Sequence, residues 1–248
     1  MQREARKTHH SVGGVDFWLE RKSVKNVNLR IHSDGSVHVS APLWLPMERI
    51  EQFVESKAAW IAKRRERLAQ ATADAPTLWS VGEQVRVWGE TLELVLTAAP
   101  SARAESVTRK GNHLVLAVSE RWADSTEAAV AHRKRLVDQW LTTQLRAALP
   151  DLFARYEAQM GVHAAAIKLR RMKTRWGSCK VSEGIITLNT ELVRFPPTCL
   201  ESVVVHELCH LLEPSHNARF HELQDRYYPA WRDARKLLNA APPLATRD

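Results

Sequence analysis

The chain has 248 residues, 44% hydrophobic and 26% charged, with a formal net charge of +8 from 36 basic and 28 acidic side chains. That length supports a core without disulfides, and the composition is that of a soluble globular protein rather than a disordered one. No run approaches the ~18 apolar residues of a membrane span. The charged start Met1–Lys7 lacks a signal peptide's apolar stretch, and three unpatterned cysteines (Cys179, Cys199, Cys209) suit a reducing compartment, so a cytoplasmic protein with no membrane partner is expected.

Residues 15 to 40 read as strands. Asn28–His32 alternates, Ser33–Ser36 supplies a hairpin turn, and Val37–Ser40 returns. Pro46 then opens an amphipathic helix with Ile50, Phe53, Val54, Ile61 and Leu68 at helical spacing, and an Ala-rich stretch ending at Pro76 reads as a connection. A second β region follows: Val85–Trp88, a turn at Gly89–Glu90, Leu92–Leu96, and a hairpin turning near Lys110–Asn112 into Leu114–Leu116. The two β regions are loosely similar.

From about Ser125 to Met160 the period is helical. Val137, Trp140, Leu141, Leu145, Leu149, Leu152, Phe153 and Tyr156 form one stripe, and Pro150 marks a kink or a break into two helices. Residues 166–171 and 184–190 read as strands flanking a loop around Trp176. A helix follows Pro196-Pro197, another starts near Asn217, and a short one precedes Pro242-Pro243. The nine tryptophans read as core and packing residues. The fold class is α+β, with a β-rich N-terminal half that includes a helix and a helical C-terminal half with a short β-hairpin beside its central helix.

That central helix carries the chemistry. His206-Glu207-Leu208-Cys209-His210 places two imidazoles four residues apart on one helical face, with a carboxylate between them. One tetrahedral zinc ion takes both imidazoles, and the carboxylate is placed to act on a metal-activated water. Glu213-Pro214-Ser215 ends the helix, because the residue before a proline leaves the α region. His216 follows directly and has the shortest path back to the first two histidines. Glu213, His221 and Glu222 are the other candidates for third ligand. Glu213 is better placed to orient an imidazole N–H, and His221 points about 140° away from His216 on a regular helix. Cys209 reads as a small buried hydrophobe rather than a ligand.

The run Arg175-Trp176-Gly177-Ser178-Cys179, then Gly184–Asn189, Pro196-Pro197, the metal helix and His216 together resemble the YgjP-like metallopeptidase family, which is related to the SprT-like and WLM-type zinc proteases. The likeness is specific over roughly residues 165–240 and looser before that. It implies a zincin-type site with a downstream histidine as third ligand. The chain then divides into a β-rich subdomain, residues 1–123, and a zincin-like catalytic subdomain, residues 124–248.

The leading reading is a zinc metallopeptidase holding one Zn²⁺ per chain through His206, His210 and His216, with Glu207 as general base. Arg175 and Asn189 are candidate substrate or oxyanion contacts, equally readable as a hairpin salt link and a turn-side amide. A strand over residues 184–190 with a free edge would bind an extended peptide or protein substrate. Two alternatives keep the metal. A phosphoanhydride hydrolase would use Lys168, Arg170, Arg171, Lys173 and Arg175 on phosphates, though no Gly-rich phosphate loop is present. A nucleic-acid module with structural zinc would leave Glu207 without a task. The same basic 168–175 segment, running into the motif region, is the expected contact for nucleic acid or another polyanion.

Overall fold

The computed structural model describes residues 7–32, 34–73 and 79–240, with backbone alone for 67–73. Ser33 of the expected turn, the Leu68 side chain, the end of the connection at Pro76, and Pro242-Pro243 lie outside the described residues. Contacts divide the chain into two units between residues 75 and 76. The boundary drawn after residue 123 falls inside the second unit, because its sheet and the long helix behind it share one core.

In the first unit β1 (Lys7–Val12), β2 (Val15–Lys22), β3 (Asn28–Ile31) and β4 (Val37–Pro42) form a sheet in the order β1-β2-β4-β3. β2 and β4 run parallel at its centre and hairpin partners flank them. Alternate residues Val15, Phe17, Leu19 and Val37, Val39, Ala41 are buried, the period of two that a one-sided sheet requires. They pack against Ile50, Val54 and Ile61. The single helix expected after Pro46 is two, α1 (Met47–Ser56) and α2 (Ala58–Ala73). They are interrupted at Lys57, whose N–H turns back to the Val54 carbonyl at 3.0 Å.

The second unit opens with β5 (Gln84–Val87), β6 (Glu90–Ala98), β7 (Ser106–Lys110) and β8 (His113–Val118), in the order β5-β6-β8-β7. β6 and β8 are parallel and their hairpin partners antiparallel. The two loosely similar β regions are therefore one strand arrangement used twice. α3 (Glu127–Met160) follows as a single 34-residue helix. It runs through Pro150 without breaking in two, because the seam Val137, Leu141, Leu145, Leu149, Phe153 and Tyr156 is buried throughout and holds both halves on one core. Thr126 caps it by accepting from the Ala129 amide, and Gly161 ends it at φ 66°, a left-handed conformation that glycine adopts without penalty.

β9 (Ala166–Arg170), β10 (Gly177–Lys180) and β11 (Ile185–Asn189) form a third sheet in the order β10-β11-β9. The strands expected at 166–171 and 184–190 are β9 and β11. They are parallel neighbours, and the hairpin partner of β11 is β10, which lies in the stretch read as a loop. β11 is thus the central strand and has no free edge. The last elements are α4 (Pro197–Leu212), α5 (Ala218–Tyr227) and α6 (Trp231–Ala240), with α5 and α6 both packed on α4. Trp79 and Trp231 are core residues, but Trp18, Trp44 and Trp60 are exposed, so the tryptophans are not uniformly packing residues. No helix among the described residues is long and apolar enough to cross a membrane.

One buried cation anchors α3. Arg133 is 1% exposed and donates from Nε to the Trp79 carbonyl at 2.9 Å and from Nη1 to the carbonyls of Trp122 and Asp124 at 2.5 and 2.7 Å. Arg133→Met fills the volume but leaves these acceptors without their donor. It is expected to destabilise the second unit by about 3 kcal/mol, read as a lower guanidinium midpoint at unchanged slope.

Candidate metal centre

α4 is helical through tertiary burial more than through propensity. Val203, Val204 and Val205 are β-branched and individually poor helix formers, yet all three are buried in the core. Pro197 sits in the first turn, where its missing N–H is harmless. At the other end Glu213 takes an extended conformation (φ −144°, ψ 105°) before Pro214. The chain reverses there, Asn217 caps α5 by accepting from the Phe220 amide at 3.0 Å, and His216 lies in the reversal.

The reversal brings His216 back over His206 and His210. One nitrogen from each of the three rings lies within 4.8 Å of the other two. Nε2 of His206 and Nε2 of His216 are 3.1 Å apart. A tetrahedral zinc with ordinary Zn–N bonds separates its ligand nitrogens by about 3.3 Å, so the spacing suits such an ion. The far nitrogens are held from behind. His210 donates from Nδ1 to the Glu213 carbonyl at 3.3 Å, and the Gln224 amide lies 3.2 Å from Nδ1 of His206. The Nδ1–H bond of His210 leaves its Nε2 as the unprotonated nitrogen that faces an ion. The Phe220 ring, fully buried, sits 4.6 to 4.9 Å from all three imidazole centroids.

Electrostatics point the same way. Burial, with the neighbouring His210 and His216 rings, holds the His206 imidazole down at about 3, and burial with His216 lowers His210. Neutral imidazole is the form that binds metal. Burial also pushes the Glu207 carboxyl up to about 8, with the Arg175 guanidinium opposing. Glu207 is 4% exposed, accepts no hydrogen bond among the described residues, and lines the same cavity of about 510 Å³ as His206 and His216. A buried carboxylate without a protein partner is expensive unless something in the cavity uses it.

The other candidates divide. Arg175 lines the cavity. Asn189 does not: fully buried, it donates both amide hydrogens to the carbonyls of Met172 and Arg175, at 2.8 and 2.9 Å, and its Oδ1 accepts from the Glu191 amide at 3.1 Å. Its amide ties down the loop that carries Arg175. Glu213 contributes its carbonyl rather than its carboxylate, which accepts from the Ser215 amide instead. His221 lies outside the converging group and stacks on Trp231 at 5.6 Å. Cys209 is fully buried in the core and is not among the converging donors, and burial raises its thiol to about 12. The cations of the basic 168–175 segment make different contacts. Arg171 approaches Glu191 at 3.8 Å, Arg175 enters the cavity, and Lys168 and Arg170 stay on β9.

Two further contributors have no role that the sequence alone assigns. Gln224 lies eighteen residues beyond His206, and its signal is its place one turn after Phe220 on the buried face of α5. Gly177 opens β10, and a Cβ added there would lie 2.4 Å from Glu207 Oε1 and 2.9 Å from Cδ and Cγ. β10 therefore packs backbone-first on the Glu207 side chain, an approach only glycine permits.

The family model described as YgjP-like, metallopeptidase domain, matches residues 25–241. Among solved structures, the metallopeptidase zymogen abylysin of Pyrococcus abyssi is similar at 20% identity and a TM-score of 0.32, covering 36% of this chain and 88% of that one. The metallopeptidase zymogen jannalysin of Methanocaldococcus jannaschii is similar at 19% and 0.33, covering 36% and 92%. No curated protein matches the chain.

Gly177→Ala tests the close approach. The added methyl must displace the Glu207 carboxylate, whereas the imidazoles stand on other contacts. Bound metal, measured by elemental analysis, is expected to match wild type, while kcat/KM for hydrolysis of an unfolded protein falls at least about tenfold, the scale on which a small displacement inside a reactive cavity shows. Unchanged kcat/KM would show that Glu207 relaxes freely.

Proposed function

Because the chain belongs to the YgjP-like metallopeptidase family, we propose that it is a zinc peptidase in which His206, His210 and His216 hold one Zn²⁺ and Glu207 is the general base. The observation that carries this reading is the convergence of three imidazole nitrogens within 4.8 Å, beside a buried carboxylate that opens onto the same cavity. Three imidazoles suit zinc better than the oxygen-seeking Mg²⁺ of phosphoryl transfer.

When bound, the metal supplies Lewis acidity, which polarises the scissile carbonyl and makes a water acidic enough to lose its proton near neutral pH. Glu207 accepts that proton on its carboxylate and later delivers it to the departing amine nitrogen. Its apolar surroundings raise its basicity towards that task. Arg175, from the loop that Asn189 anchors, donates to negative charge developing on the carbonyl oxygen. The substrate backbone lies along β10, whose outer edge is unpaired in the sheet and which packs on α4. An extended peptide adds there as a further strand. This replaces the edge expected on the 184–190 strand, which is occupied on both sides. The phosphoanhydride alternative loses support, since of its five cations Arg175 alone lines the cavity.

Two variants test the assignment on an unfolded protein substrate. Glu207→Gln is expected to keep its metal and lose at least about a hundredfold in hydrolysis, the scale of a lost general base. Activity near wild type would overturn the role of Glu207, and loss of metal would make Glu207 a ligand. His216→Ala is expected to bind metal far more weakly, shown by competition with a chromogenic chelator. Full occupancy in that variant would move the third ligand elsewhere.

A further inference from the structure

The cavity does not end at the imidazoles. It continues between α4 and α6, past Ser202 and Val203, to a wall made by Trp231, Arg235, Leu238 and Asn239. Those four positions are i, i+4, i+7 and i+8, so one continuous face of α6 lines the cavity. Trp231 and Leu238 are buried apolar residues, and Arg235 stands between them.

The other charged residues of α6 are paired. Arg232 binds Asp225, with Nη2 to Oδ2 at 3.1 Å, and Lys236 reaches Asp233 at 2.8 Å. Arg235 forms no ion pair with a carboxylate among the described residues, and its guanidinium lies 6.0 Å from the Trp231 ring. Across the cavity, Arg175 is turned to a different charge, the Glu207 carboxyl, whose rise it opposes. Glu207 is the one acidic side chain lining the cavity, and it is committed to proton transfer. Arg235, set between apolar side chains and with no carboxylate partner among the described residues, favours a carboxylate, which a guanidinium binds bidentately. The volume, about 510 Å³, is in the range that encloses a ligand of one or two residues.

We propose that Arg235 is the specificity-determining residue of the cavity and holds a carboxylate of the peptide substrate, with Trp231 and Leu238 packing on that residue's methylene groups. The proposal rests on the peptidase reading above. The carboxylate belongs either to an Asp or Glu side chain next to the scissile bond or to the chain terminus, and both present the same planar anion.

Binding to the zinc-loaded Glu207→Gln protein tests this independently of turnover, by calorimetry with three matched peptides. One carries Glu with blocked ends, one carries Gln with a free C-terminal carboxylate, and one carries Gln with blocked ends. At least one acidic peptide is expected to bind about tenfold tighter than the neutral one, the scale of a charge-assisted contact. Which of the two does so identifies the source of the carboxylate. Adding Arg235→Gln is expected to abolish the difference, and Arg235→Lys to restore part of it, because a point charge lacks the fork. Circular dichroism checks that each variant folds. Equal affinity for all three peptides overturns the proposal. So does a preference that survives Arg235→Gln, since the carboxylate's partner would then lie elsewhere in the cavity. Cleavage of the same peptides by the wild-type protein is scored separately: if none is cut, the peptidase reading fails while the binding comparison still decides the role of Arg235.

Discussion

At Gly177 the backbone of β10 comes so close to Glu207 that a methyl group would meet the carboxylate oxygen at 2.4 Å. This approach positions most of the second unit's machinery. It sets an edge strand beside the metal helix, closes one wall around the carboxylate, and determines where the loop before β10 emerges. Asn189, at the end of the neighbouring strand, then fixes that loop by bonding the Met172 and Arg175 carbonyls. The side chain that faces the carboxylate from the loop is Arg175, which moderates the rise that burial imposes on Glu207.

The imidazoles depend on a different device. His206 and His210 are placed by helical period alone, but His216 reaches them only because Pro214 ends α4 and Asn217 immediately starts α5. Phe220, one turn into α5, fills the space beneath all three rings. A flat, rigid side chain there keeps the rings from collapsing onto one another and excludes water from the buried side. Donors brought this close in an apolar setting favour the neutral form, the state in which they serve as ligands.

Features written in local chemistry were readable from residues. The histidine spacing, the proline break, the Asn217 start of α5, and the apolar stripe of α3 each follow from one helical turn's worth of sequence. Features that depend on distant partners were not. β10 is four residues, Gly-Ser-Cys-Lys, with no alternation to mark it, and it becomes a strand because β11 pairs with it. β1 is exposed along most of both faces and so carries no apolar period. The residues of β11 suggest a free edge because the positions of its two neighbours are not encoded in them. Pro150 suggested a break, yet the buried seam on either side of it outweighs one missing N–H. Asn189 read equally well as a substrate contact or a turn amide, and only the positions of two carbonyls fourteen and seventeen residues earlier decide between them.

The repeated four-strand arrangement bears on how the chain reaches this state. In each copy the two central parallel strands are joined through a single intervening hairpin strand, so all pairings close within a few dozen consecutive residues. Short loops carry small closure entropies and fold early. The strand pairings of each copy are thus local, whereas the apolar face of the second sheet is completed only by α3 and α4, which follow it in the chain. The helix that carries His206 and His210 is therefore itself a wall of the core, so holding the imidazoles and burying the sheet are one packing event.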